Sequence, residues 1–121
     1  MAKILIVDDD AETTQLLEAI LDTGGHEPFA INESTNALST VETVMPDLIL
    51  LDIMMPQING IAVCKLLKSD TRFNRIPVIM ISALSDEGTK KDASNAGAEK
   101  FITKPILPSD LLRQIDELLP G

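Results

Sequence analysis

The sequence predicts a doubly wound α/β domain, a five-stranded parallel sheet with five helices packed on its two faces. Three observations carry this. The short apolar runs Ile4–Val7, Leu48–Leu51 and Val78–Ile81 are continuous rather than alternating, as strands covered on both faces require. Each strand-like run is followed by a segment with helical character, so that strand and helix alternate five times. Finally, 121 residues with 45% hydrophobic content supply one core of ordinary domain size.

The first strand begins at Lys3 and stops at Asp8-Asp9-Asp10. Leu16, Leu17, Ile20 and Leu21 then place a helix over roughly residues 11 to 22, with Gly24-Gly25 as its stop. His26, in a Gly-rich turn without ligand companions, reads as an exposed loop residue. Glu27 to Ile31 forms a weak second strand, and Pro28 suits an edge position, where a missing N–H does no harm. Ser34 can cap the second helix. Leu38, Val41, Val44 and Met45 form the apolar stripe of that helix, and Pro46 follows its end.

Asp47 to Asp52 is a buried third strand bounded by carboxylates, whose last residue should emerge at the carboxyl edge of the sheet. A loop with Pro56 leads to Asn59-Gly60, the start of a helix whose Val63, Cys64, Leu66 and Leu67 partly face the core. The fourth strand ends at Ser82-Ala83. Ser85 can cap the next helix, whose inward candidates are only Ala93 and Ala96. Lys100 to Thr103 reads as the fifth strand, followed by Lys104-Pro105. The final helix presents Leu111, Leu112, Ile115, Leu118 and Leu119, with Pro108 and Asp110 suited to its first turn.

Composition narrows the function. With 10 basic against 19 acidic residues the net charge is −9, which argues against direct binding to nucleic acid or an anionic membrane and favours protein partners or a metal ion. Three Phe with no Tyr or Trp leave no platform for base stacking. No run approaches the ~18–20 apolar residues of a membrane span, and a single Cys64 allows no internal disulfide, so a soluble, cytoplasmic protein is expected. Met1 and the lack of a tail lead us to expect one stand-alone domain over residues 1–121, without an output domain.

In an open α/β sheet, ligands gather beyond the carboxyl ends of the strands. The polar residues fall there: Asp8 and Asp9 after strand one, Asp52 at the end of strand three, Ser82 at the end of strand four and Lys104 just past strand five. Taken singly, each is an ordinary loop, cap or surface residue. Together, crowded carboxylates need a compensating cation, and an all-oxygen set suits Mg²⁺. Such an ion would let Asp52 act as a carboxylate nucleophile towards phosphorus, with Lys104 and the Ser82 hydroxyl on the phosphoryl oxygens.

Ile6-Val7-Asp8-Asp9, Leu50-Leu51-Asp52-Ile53-Met54-Met55-Pro56, Asn59-Gly60, Ser82-Ala83 and Lys104-Pro105, in this order, resemble the response-regulator receiver domains of two-component signalling. The resemblance covers essentially the whole chain. It implies the flavodoxin-like strand order 2-1-3-4-5, Asp52 as phosphoacceptor, and a Mg²⁺ site made by Asp9, Asp8 largely through water, Asp52 and the Met54 backbone carbonyl. Lys104 would contact the phosphoryl group. Ser82 and the aromatic Phe101 would reposition as switch residues, changing the face formed by the fourth helix, fifth strand and fifth helix. A cis Lys104-Pro105 peptide is a further implication.

The implied partners are a histidine kinase or histidine phosphotransfer protein and a downstream protein on that face, with a phosphorylation-linked dimer as one form of readout. The domain is then no enzyme beyond its own phosphorylation and slow dephosphorylation. Slow loss is expected because the positions that tune it in this family, two residues beyond Asp52 and two beyond Ser82, hold Met54 and Leu84, which cannot orient water.

Three rivals share parts of this pattern. A flavodoxin-like cofactor binder would need phosphate-binding donors in its first loop, where Asp8-Asp9-Asp10 would repel phosphate. A phosphatase with an Asp nucleophile and Mg²⁺ would need a general acid two residues on, where Met54 stands. A phosphate-independent interaction module would lack part of the acid set, which is complete here.

Overall fold

The computed structural model describes residues 2–120. The elements are β1 (Lys3–Val7), α1 (Ala11–Thr23), β2 (Glu27–Ile31), a 3₁₀ turn at Ser34–Asn36, α2 (Ala37–Val44), β3 (Leu48–Asp52), α3 (Gly60–Ser69), β4 (Val78–Ser82), α4 (Glu87–Asn95), β5 (Lys100–Thr103) and α5 (Pro108–Leu118). All four strand pairings are parallel and the sheet order is β2-β1-β3-β4-β5, as expected. β2, with Pro28, is an edge strand.

Alternate residues of the central strands serve two cores. Leu5, Val7, Ile49, Leu51, Val78 and Met80 pack with Val41, Val63, Leu67 and Ala93, putting α2, α3 and α4 on one face. Ile4, Ile6, Leu48, Leu50, Ile79 and Ile81 pack with Leu17, Leu21, Leu111 and Ile115, putting α1 and α5 on the other. At roughly 2 kcal/mol for each fully buried Leu or Ile, this double burial explains why the central runs carry no polar residue until their last positions. Cys64 is buried on the first face, its S–H donating to the Ala96 carbonyl at 3.4 Å.

Local chemistry departs from the sequence reading at several points. Ser34 does not cap α2: it is buried, and its hydroxyl donates to the Pro56 carbonyl at 3.0 Å, tying the start of that helix to the loop after β3. α4 is capped by Asp86 rather than Ser85, the Asp86 carboxylate accepting from Thr89 N at 3.0 Å. The buried stripe of α2 is Ala37 and Val41, with Val44 partly buried; Leu38 points outward, and Met45 is exposed where the chain leaves the helix in a left-handed conformation, φ 50°. Leu16 and Leu66 also point outward, each beside the buried residue that follows it. His26 is no exposed loop residue: its imidazole is largely covered, and Nε2 lies 3.8 Å from the Asp116 carboxylate of α5. Among the described residues, no helix is long and apolar enough to cross a membrane.

Candidate functional site

Parallel strands deliver their carboxyl ends to one edge, and the acidic and basic groups meet there. Asp8, Asp9 and Asp52 each offer a carboxylate oxygen, and these oxygens all lie within 4.8 Å of one another. Asp8 and Asp52 are 2% and 4% exposed, whereas Asp9 faces solvent. Lys104 Nζ stands 3.4 Å from both Asp8 Oδ2 and Asp52 Oδ1. At that length the ammonium is held loosely by both acids.

The third acid of the run has a different task. Asp10 caps α1, accepting from Glu12 N at 3.2 Å and from the Thr13 hydroxyl at 2.7 Å. Those bonds, the Thr13 contact foremost, hold its carboxyl below the usual carboxylate range. Asp8 turns inward instead: its Oδ1 accepts from Asp10 N at 2.9 Å, and its own N–H donates to Ile31 O at 3.2 Å.

Burial, and then the neighbouring Asp8 charge, push the Asp52 carboxyl up to about 6, with Lys104 opposing both. For Lys104 burial acts to lower its value, but the Asp52 and Asp8 carboxylates prevail and hold it above the ordinary lysine range. One ammonium therefore does not neutralise the cluster. Three carboxylates at an all-oxygen site fit a small hard divalent cation.

Ser82 ends β4, one position past Ile81, the register partner of Asp52, and is fully buried. Its Oγ accepts from Leu84 N at 3.0 Å, and its own O–H is spent on no protein acceptor among the described residues. The Lys104 N–H donates to Ser82 O at 2.9 Å, so β4 and β5 place Ser82 and Lys104 together. The Lys104–Pro105 peptide is cis. Phe101 is half-buried against the core of the α2–α4 face, pairing Met80 in register. Met54 and Leu84, in the loops after β3 and β4, are 61% and 43% exposed.

Residues 4–116 match the family model of the response regulator receiver domain. The chain belongs to that family. The receiver is 36% identical over 113 residues to the DNA-binding response regulator MtrA of Mycolicibacterium paratuberculosis, covering 93% of this chain and 49% of MtrA. It is 41% identical over 105 residues to the response regulator PleD of Caulobacter vibrioides, covering 87% of this chain and 23% of PleD. The receiver thus spans about half, or less, of the curated relatives it matches. Among solved structures it resembles the chemotaxis protein CheY4 of Vibrio cholerae, with TM-score 0.93, 26% identity and coverage of 98% and 99% of the two chains. It also resembles the receiver domain of a signal transduction histidine kinase from Syntrophus aciditrophicus, with TM-score 0.91, 33% identity and coverage of 98% and 90%. Receiver domains of two-component systems are signalling domains.

Two contributors to the site act through contacts that the sequence did not show. Gly60 looks like a helix start, yet its role is the close approach of α3 to Asp52; a Cβ there would meet the Asp52 carbonyl oxygen. Asn32, beyond β2, donates to the Asp8 carbonyl from 24 positions away. Only the β1–β2 register brings it there.

Proposed function

We propose that this receiver takes a phosphoryl group onto Asp52 from the phosphohistidine of a kinase or phosphotransfer protein, and that the modified state alters its affinity for a downstream protein. The observation that carries this reading is the juxtaposition of the Asp52 carboxylate with Asp8, Asp9 and Lys104 at one sheet edge.

In the proposed step an Asp52 carboxylate oxygen attacks phosphorus in line. The new P–O bond forms as the P–N bond to the donor imidazole breaks, and the imidazole leaves with the electron pair and takes up a proton. The product is an acyl phosphate. Asp8, Asp9, Asp52 and the Met54 backbone carbonyl would hold Mg²⁺, which when bound offsets the carboxylate charge and the charge of the incoming phosphoryl group. Lys104 follows the charge, exchanging its two long contacts with Asp8 and Asp52 for a phosphoryl oxygen. Ser82 keeps its acceptor role towards Leu84 N and donates its free O–H to another oxygen.

Transmission follows from population shift: contacts made only with the phosphoryl group favour a state in which Ser82 and Phe101 have repositioned. α4 buries little beyond Ala93, with residues 83–88 all exposed, which supports its N-terminal end as the mobile part of the α4–β5–α5 face. The exposed Met54 and Leu84 offer no group to orient a water at the acyl phosphate, which supports a long-lived modified state. Incubation with a small phosphodonor and Mg²⁺, followed by intact mass, tests the assignment. The wild type should gain one phosphoryl group and Asp52→Asn none. A wild type that gains nothing leaves phosphate-independent interaction as the reading.

A further inference from the structure

We infer that Asn32 and Thr14 are positioning residues that set the geometry of the acidic turn after β1, and through it the affinity of the site for a divalent cation. The inference rests on the proposed Mg²⁺ site and adds to it two residues outside the acid set.

The acidic turn is under electrostatic stress, because Asp8, Asp9 and Asp10 follow one another and Asp52 stands opposite. Asp10 is held by its capping bonds and Asp8 by bonds to both of its carboxylate oxygens. Asp9 is different. Among the described residues no hydrogen bond or ion pair reaches its carboxylate, so its place depends on the backbone that carries it.

That backbone is fixed from the side. The Asn32 amide nitrogen donates to the Asp8 carbonyl at 2.9 Å and to Thr14 Oγ1 at 3.2 Å. The Asp8 carbonyl can only accept, so the amide must present its nitrogen here, and both of its N–H groups are used. This carbonyl belongs to the peptide plane joining Asp8 to Asp9. Holding it sets the direction in which Asp9 projects. Thr14 is buried in the first turn of α1, where its hydroxyl passes the chain on by donating to Ala11 O at 3.0 Å. The amide therefore bridges the β1–α1 turn and the helix that follows it, from the segment just beyond β2.

Without these bonds the turn can relax its repulsion by rotating the Asp8–Asp9 peptide, and a bound cation must then restore the lost geometry. Groups that orient metal ligands typically change affinity roughly 10–100-fold when removed. The test is Mg²⁺ titration of the whole chain, followed by calorimetry and amide shifts, with melting of the metal-free protein measured alongside. Asn32→Ala should weaken Mg²⁺ binding roughly tenfold or more, and speed amide exchange at Asp10 in the metal-free protein. Thr14→Val should weaken binding less, and Thr14→Ser, which keeps the hydroxyl, should restore it. If Asn32→Ala proves too unstable to titrate, the Thr14→Val and Thr14→Ser pair decides. Wild-type affinity in Asn32→Ala, or equal affinity in the two Thr14 variants, overturns the inference while leaving the metal site intact. A wild type that takes up no Mg²⁺ overturns the metal site itself, and this inference with it.

Discussion

The main chains of Gly60 and Asp52 touch: a Cβ built on Gly60 would collide with the Asp52 carbonyl oxygen and stand 2.9 Å from its carbonyl carbon. The Gly60 N–H, meanwhile, donates to Ile53 O at 2.9 Å. The first residue of α3 is thus seated against the end of the strand that carries the acid. Because both partners are backbone, a side chain here cannot be relieved by rotating a rotamer. Gly60→Ala should therefore lower stability by about 2–3 kcal/mol in urea unfolding, as overpacking a close contact does, and slow phosphorylation by shifting the loop after β3. A loss below about 0.5 kcal/mol, within the range of ordinary surface changes, would show that α3 can move back freely.

Asp52 makes the metal-free fold pH-dependent. Its carboxyl sits at about 6, above the ordinary value of 3.8, so between these values the folded chain binds more protons than the unfolded one. Stability from this group is fully present below about pH 4 and is lost as pH rises through about 6. At neutral pH Asp52→Asn should be the more stable protein, by up to about 3 kcal/mol at 1.36 kcal/mol per pH unit. Melting curves across this range in a chelator should show the gap between variant and wild type widening as pH rises. On the proposed metal site, Mg²⁺ should narrow it by stabilising the charged wild-type cluster.

Met45 ends α2 at φ 50°, with its side chain half exposed. A left-handed conformation costs a non-glycine residue roughly 1–2 kcal/mol. Met45→Gly should raise the urea midpoint by an amount equivalent to about 1 kcal/mol, with no effect on phosphorylation. Destabilisation instead would show that the Met45 side chain contributes packing its exposure hides.

The lifetime of the proposed acyl phosphate tests the loops above the site. Introducing groups able to orient water, as Met54→Asn with Leu84→Glu, should shorten the half-life of phosphorylated protein by roughly tenfold or more, short of the roughly 10²–10⁴-fold of a fully positioned general base. Radiolabel retention after removal of the donor reads this directly. Equal half-lives would sink the idea that these two side chains govern the loss of phosphate.

Much of the architecture could be read in order along the chain. Continuous apolar runs ending in Asp8, Asp52 and Ser82 marked β1, β3 and β4, because a strand covered on both faces can carry polar groups only where it leaves the core. Pro28 marked the edge strand for a similarly local reason, a missing N–H. Helix caps were less legible. Ser34 and Asp86 both lie in runs rich in capping side chains, and which one accepts the helix N–H depends on a single residue's backbone angles.

By itself, then, the sequence determined the strand and helix alternation, the acids at the strand ends and the family, since periodicity and strand termination are properties of neighbouring residues. Tertiary structure alone decided the rest. The division of labour within Asp8-Asp9-Asp10, the closeness of Gly60 to Asp52, the covering of His26 by α5 and the grip of Asn32 on Asp8 all join residues that are remote in sequence or differ only in direction. Sheet register fixes the last of these, the Asn32–Asp8 pairing. A register is a property of two strands at once, and neither strand states it alone.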